Sequence, residues 1–371
     1  MTDTIWIDRD EQLKAVADEL DRAPWIGIDT EFMREKTFFP KLCLLQISAP
    51  EQIWCIDTLA ITDLAPLTQS LVGADRPKIL HAARQDLEAI YLVTRQIVAP
   101  VFDTQIAAAC VGMKAQLGYA DLAKVLLEVS IGKSQTRTDW SRRPLSAAQL
   151  SYAADDVLHL HDIAVRLQSR LQELGRAHWA EEDCAQLSNP QLYDPDPERA
   201  WTRLKGISQL APRAGGIARA LAAWREHLAR EKDLPRSWIL SDTAIFNLAH
   251  ADPRSAPQIH AAASETAGWS EPVLAGLLDA IKTSESIQPS AEALAQDTRP
   301  TPEQKALLNA LAQIVDKRAT ELGVSAEILA TRGELKSMVM SSKPLSDLNP
   351  ASLRGWRKEQ IGDLLAKAIE K

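Results

Sequence analysis

Cysteine is scarce: four residues in 371, Cys43, Cys55, Cys110 and Cys184, scattered and with no Cys-x-x-Cys pair. That pattern speaks against a disulfide framework or a zinc site and fits reduced thiols. Long apolar runs are missing too. None reaches the roughly 20 residues of a membrane-spanning helix, and the polar, acidic N-terminus is not a signal peptide. A cytoplasmic chain with no membrane partner is therefore expected. The chain also lacks a positive balance. Forty-two Lys and Arg stand against 50 Asp and Glu, a net charge of -8. A surface basic throughout is excluded, but a nucleic-acid enzyme is not: metal-binding carboxylates are acidic by necessity, and basic patches can be local. What remains is ordinary for a globular chain, 46% hydrophobic and 25% charged. The length suggests two or three domains of roughly 100–200 residues each.

Trp25-Ile26-Gly27-Ile28-Asp29-Thr30-Glu31-Phe32 reads as a largely buried strand running up to two carboxylates. Residues two apart on a strand share a face, so Asp29 and Glu31 stand side by side at its end. Like charges there repel, and burying either is costly unless something neutralises it. A divalent cation does so, and hard oxygen ligands suit Mg²⁺ or Mn²⁺.

Around this strand the first 190 residues alternate strand and helix patterns. Ile5-Trp6-Ile7, Leu42 to Ser48, Ile53 to Asp57, Lys78 to Ala82 and Val101-Phe102-Asp103 read as further strands. Asp10 to Asp21 has helical spacing, with Leu13, Val16, Ala17 and Leu20 on one face. Helices are expected at about 62–73, 84–95, 104–113, 119–129 and, unbroken, 146–173. A meander followed by βαβ units predicts a mixed sheet with helices on both faces, an α/β domain. After the Pro-rich loop at Asp194-Pro195-Asp196-Pro197, strand signals nearly vanish and helical periodicity takes over. Trp224-Arg225-Glu226 and Trp356-Arg357-Lys358-Glu359 are a local echo between two helical stretches that read as distant copies.

Two further sites join the first carboxylate pair. Asp86 falls in the first turn of the helix after His81-Ala82-Ala83, where an acid also suits the helix dipole. His81 reads as a hydrogen-bonded strand-end residue rather than a ligand. In Leu150-Ser151-Tyr152-Ala153-Ala154-Asp155-Asp156, helical spacing puts Tyr152 and Asp156 on one face. Asp155 is rotated away and reads as solvated. His159 and His161 read as surface or core residues.

Asp29-x-Glu31, then Asp86, then Tyr152-x-x-x-Asp156 resembles the three exonuclease motifs of the DEDD superfamily, in its DEDDy branch. The flanking Leu44-Leu45-Gln46-Ile47, Phe102-Asp103-Thr104 and Asp139-Trp140-Ser141-Arg142-Arg143-Pro144-Leu145 narrow the resemblance to the ribonuclease D family. It implies a ribonuclease-H-like fold and 3′→5′ exonuclease activity on RNA. It also implies that Asp29, Glu31, Asp86 and Asp156 hold two divalent metal ions, Mg²⁺ or Mn²⁺, directly or through water. The resemblance further implies that nucleotides leave one at a time as nucleoside 5′-monophosphates, with the two ions neutralising the attacking and leaving oxygens. Tyr152 would orient the attacking water, since an ordinary tyrosine pKa of about 10 makes it a poor base. The implied partners are RNA 3′ ends, tRNA precursors above all, with no obligate protein partner.

The loop Lys133 to Trp140 mixes basic, polar and aromatic residues, so Gln135, Arg137 and Trp140 are candidate RNA contacts, with Trp140 equally readable as a loop anchor. Phe32 is a candidate neighbour of the terminal base. Trp201-x-x-Leu204-Lys205-Gly206 and the stretch from Ala222 to Arg236 resemble the HRDC domain. Seven basic residues against three acids between Lys205 and Arg236 suit backbone contact, with Lys205, Arg225 and Arg236 as candidates. Surface pairing of those arginines is the competing reading. The expected organisation is an exonuclease domain at 1–192, an HRDC domain at 198–282, a linker at 283–302 and a second, diverged HRDC-like domain at 303–371. A related exonuclease acting on DNA, or an RNA-binding scaffold without catalysis, are the alternatives.

Overall fold

The computed structural model describes residues 3–72, 76–132, 135, 138–284, 300–341 and 345–370. Most of the expected linker therefore lies outside the described residues. Six strands form one mixed sheet: β1 (Asp3–Ile7), β2 (Ile26–Met33), β3 (Lys41–Ala49), β4 (Gln52–Ile56), β5 (Lys78–Leu80) and β6 (Val101–Asp103). Their order is β1-β4-β3-β2-β5-β6. Strands β2, β3 and β4 are the expected antiparallel meander, while β1, β5 and β6 add in parallel. Strand β3 is buried from Leu42 to Ala49, as suits a central strand covered on both faces.

One face carries α1 (Asp10–Arg22), α2 (Ala65–Leu71) and α3 (Arg84–Thr94). Helix α1 buries Leu13, Val16, Ala17 and Leu20, the stripe its spacing predicts. These residues share a core with Ile26 and Ile28 of β2. Strand alternation then turns Gly27, Asp29 and Glu31 to the opposite face. After α4 (Thr104–Cys110) and α5 (Tyr119–Leu127), that face is covered by α6 (Ala147–Leu158) and α7 (Leu160–Glu173). A side chain at Gly27 has no room: its Cβ would lie 2.3 Å from Ser48 Oγ and 3.3 Å from Leu160.

The single helix expected over 146–173 is two helices, broken at His159. A continuous helix would bond the N–H of His159 to the carbonyl of Asp155. Here the Tyr119 hydroxyl stands between them, donating to Asp155 O at 3.1 Å and accepting from His159 N at 3.2 Å. A side chain inserted into the ladder breaks a helix at that point.

Beyond α8 (Ala177–Ala185) the chain is helical. Helix α9 (Pro212–Lys232) ends on Asp233 in the left-handed region, followed by α10 (Arg236–Ile239) and α11 (Asp242–Ala251). Ninety residues on, the same series recurs: Pro302–Leu322 ends on left-handed Gly323, followed by Ala326–Leu329 and Arg332–Met340. The Trp-Arg echo at 224 and 356 is out of this register, so it is not the repeat.

Both helical units dock on the α/β part, and at equivalent corners. The Asp233 carboxylate accepts from the N–H groups of Phe38 and Phe39, each at 3.0 Å. The Arg236 guanidinium lies 4.4 Å over the Phe38 ring. In the second unit, the Gly323 carbonyl packs where a Gly112 Cβ would come within 2.3 Å. Arg176 ties the two parts, donating to Cys110 O at 2.9 Å and Leu322 O at 2.5 Å. Trp356 stacks on Trp179 with centroids 4.1 Å apart, and Arg357 donates twice to Asp183, at 2.6 and 2.8 Å. The four cysteines are free and buried. Among the described residues no helix is long and apolar enough to cross a membrane.

Candidate active site

Asp29 and Glu31 lie within β2, four and two residues short of its end rather than at it. They sit opposite Gln46 and Leu44 of β3, on the face under α6. Helix α6 starts on a reciprocal cap between Ser146 and Gln149, and Ser48 Oγ donates to Val157 O at 3.0 Å, fixing the helix across the sheet. This brings Asp156 over β2. One oxygen each of Asp29, Glu31 and Asp156 lie within 4.8 Å of one another. Tyr152 and Asp156 share a helix face, as their spacing predicts, and the Tyr152 hydroxyl bonds the Asp156 carboxylate.

Asp86 enters from α3, where its Oδ1 accepts from Thr30 Oγ1 at 2.5 Å. The turn that launches α3 is strained: Ala82 has φ of 55° without being glycine. Asp103 holds it there. Its buried carboxylate accepts from Ala82 N at 3.1 Å and Ala83 N at 2.8 Å, while also capping α4 through Gln105 N at 2.8 Å. Thr30 and Asp103 were missed as site residues. Asp103 belongs to Phe102-Asp103-Thr104, but no sequence signal ties it to Asp86.

Asp29, Glu31, Asp86, Tyr152 and Asp156 line one cleft of about 300 Å³, together with Phe32, His81 and Tyr119. A larger cavity of about 610 Å³ lies between Leu64 and Val93, but Asp63 is its one carboxylate, so the smaller cleft is the candidate site. Burial drives the acids upward, and their mutual repulsion adds to it. Asp29 is held well above the usual carboxylate range by burial and by Asp86, Asp156 and Glu31. Burial, then Asp156 and Asp86, push Glu31 to about 9. Asp86 and Asp156 are raised by burial to about 7, against the opposing hydrogen bonds of Thr30 and Tyr152. A hard, all-oxygen donor set whose negative charge is this strained fits a divalent cation.

His81 is the hydrogen-bonded residue it read as: Nδ1 meets Thr104 Oγ1 at 2.9 Å and Nε2 meets Leu117 O at 3.0 Å. Asp155 is half-buried rather than solvated, its carbonyl held by Tyr119.

The expected RNA contacts fare unevenly. Trp140 is 2% exposed and packs near Tyr152, so it is the loop anchor and offers no open ring to a base. Its neighbour Arg143 braces the same loop to the sheet, gripping Asp57 with two bonds of 2.6 Å. Arg225 is 5% exposed and its Nη1 donates to Leu240 O and Asp242, so its buried guanidinium is turned inward, which corrects the reading of it as an RNA contact. Arg236 is bound to Glu226, which Arg203 also grips. Arg213 and Arg230 pair with Asp252 and Asp194. Lys205 is exposed, Gln135 is half-buried, and Arg137 lies outside the described residues. Phe32 lines the cleft with part of its ring in the core.

Residues 4–172 match the 3′-5′ exonuclease family, and residues 214–263 match the HRDC domain. The ribonuclease D of Gluconacetobacter diazotrophicus is 35% identical over 97% of this chain and 91% of its own length. That of Pseudomonas paraeruginosa is 35% identical over 98% of this chain and 97% of its own. The crystal structure of Escherichia coli RNase D, described as an exoribonuclease involved in structured RNA processing, superposes with a TM-score of 0.86. It is 28% identical and covers 99% of both chains. Likeness over nearly the whole length, to the ribonuclease D enzymes in particular, decides between the alternatives: the chain belongs to the ribonuclease D family and is a 3′→5′ exoribonuclease.

Proposed function

We propose that Asp29, Glu31, Asp86 and Asp156 hold two divalent cations, Mg²⁺ or Mn²⁺, and that Tyr152 orients the water that attacks the terminal phosphodiester. The observation that carries this reading is the gathering of four like-charged acids from β2, α3 and α6 around one cleft, each pushed up by burial. Cations bound there supply positive charge for the attacking and leaving oxygens. Thr30 holds Asp86 in place, and Asp156 holds the Tyr152 hydroxyl at the cleft. Phe32 lines the cleft and is the candidate neighbour of a terminal base.

The substrates are RNA 3′ ends, with tRNA precursors as the principal class and trailer trimming as the task. The family resemblance supports this, as does the structured-RNA role of the Escherichia coli enzyme. The chain is organised as an exonuclease domain (1–192), an HRDC domain (198–282), a linker (283–302) and a diverged second copy (303–371). The ninety-residue repeat of helix, left-handed cap and four-residue helix supports the second copy.

The test is digestion of 3′- and 5′-labelled single-stranded RNA and DNA with Mg²⁺, Mn²⁺ or EDTA. A metal-dependent ladder that shortens RNA by one nucleotide at a time from its 3′ end is expected. Asp29→Asn should abolish it with the fold intact. A folded Asp29→Asn protein with normal activity would falsify the carboxylate assignment.

A further inference from the structure

We propose that Tyr119 is a positioning residue for the hydrolysis, its hydroxyl setting where α6 ends and so where the Asp156 carboxylate lies. The inference rests on Asp156 being a metal ligand, as read above. The carbonyl that Tyr119 holds belongs to Asp155, one peptide bond before Asp156. The N–H it accepts belongs to His159, the residue at which α6 gives way to α7. Both backbone groups would pair with each other in an unbroken helix. The inserted oxygen keeps them apart, and the last turn of α6 takes its place from that spacing. Tyr152 follows, because its hydroxyl bonds Asp156.

Tyr119 is itself held firmly. It is the first residue of α5, after Gly118. Two residues before it, the Leu117 carbonyl accepts from His81 Nε2 at 3.0 Å and from Gln105 Nε2 at 3.1 Å. The His81 ring also faces the Tyr119 ring, with centroids 5.7 Å apart. His81 and Gln105 sit on either side of the Asp103 clamp that launches α3. The mounts of Asp86 and Asp156 therefore meet in one braced block. The Tyr119 hydroxyl, which both donates and accepts, is spent on the backbone and is no proton donor to substrate.

Tyr119→Phe removes that oxygen and keeps the ring. Wild type and variant are compared by calorimetric Mn²⁺ titration without RNA, by turnover of a labelled RNA oligonucleotide, and by thermal unfolding in EDTA. Loss of a partner that orients a ligand typically costs 10–100-fold in metal affinity or activity. The Mn²⁺ dissociation constant should rise about tenfold and kcat should fall about tenfold, at the low end of that range. The RNA KM and the melting temperature in EDTA should stay close to wild type. Wild-type Mn²⁺ affinity and kcat in Tyr119→Phe, with or without a lower melting temperature, would overturn the proposal. Asp29→Asn, titrated in parallel, keeps the two readings apart. If Asp29→Asn loses Mn²⁺ and Tyr119→Phe does not, only the Tyr119 proposal fails. If Asp29→Asn binds Mn²⁺ like wild type, the carboxylate reading fails first.

Discussion

Replacing Asp86 by asparagine should stabilise the metal-free protein and destabilise the metal-bound one. Asp86 is 8% exposed, and burial raises its carboxyl from 3.8 to about 7. An acid whose folded value lies above its unfolded value contributes stability that is full below about pH 4 and lost as pH rises through about 7. Between those values the cost of charging it in the folded state grows by about 1.4 kcal/mol per pH unit, levelling off at roughly 4 kcal/mol above about pH 7. Because the neighbouring acids titrate with it as a set, only part of this, on the order of 2 kcal/mol, is assigned to Asp86 alone. Asparagine has nearly the same shape, carries no charge and still accepts from Thr30. In EDTA near pH 8, Asp86→Asn should therefore melt about 3–6 °C above wild type. Near pH 5 the two should approach each other, since wild-type Asp86 is then mostly protonated. Saturating Mn²⁺ should reverse the order, because wild type gains binding free energy that the variant has lost. Thermal unfolding across pH, with and without Mn²⁺, reads all three arms. A variant less stable than wild type in EDTA near pH 8 would refute the claim that this acid is held under electrostatic strain.

Glu226 is 1% exposed and gripped by Arg203 at 3.0 Å and Arg236 at 2.5 Å. Removing one side of a buried ion pair typically costs about 3–5 kcal/mol, and the partial exposure of both arginines lowers this to about 2 kcal/mol for Glu226→Ala. An unchanged urea midpoint would refute it. Trp140→Phe separates an anchor from a stacking platform: stability should fall by about 1–2 kcal/mol, while RNA affinity stays within about twofold. Wild-type stability with much weaker RNA binding would restore Trp140 as a base contact.

The sheet was legible because its strands obey a simple alternation, and β2 shows why the site was legible too. Ile26 and Ile28 are apolar on one side, so Asp29 and Glu31 stand out on the other. The helix break was not legible. The oxygen that causes it comes from Tyr119, forty residues before His159, and nothing in the local periodicity of 146–173 marks it. The repeat was hidden for a different reason. Equivalent positions keep their geometry with different residues: Asp233 and Gly323 both adopt the left-handed cap, and Ser241 and Thr331 both cap the helix that follows. The basic excess misled because the acids that answer it, Asp194, Asp242 and Asp252, lie outside the window counted.

The corner shared by Asp233 and Gly323 bears on how the chain can be cut. At that corner each helical unit meets a main-chain group, the N–H groups of Phe38 and Phe39 in one case and the backbone of Gly112 against the Gly323 carbonyl in the other, while side chains such as Trp356 and Arg357 fill the rest of the joint. Such joints do not survive the loss of a whole partner. A fragment ending near residue 284 would bare Trp179, now 3% exposed and stacked on Trp356, and would leave Asp183 without Arg357. Asp183 precedes Cys184, whose sulfur accepts from the Asp103 N–H at 3.3 Å, and Asp103 grips the turn before Asp86. Trimming the C-terminal helices would thus open a sticky seam whose inner wall is the mounting of the carboxylate cleft. Weak activity in so shortened an enzyme would reflect a loosened active site as well as any lost grip on RNA.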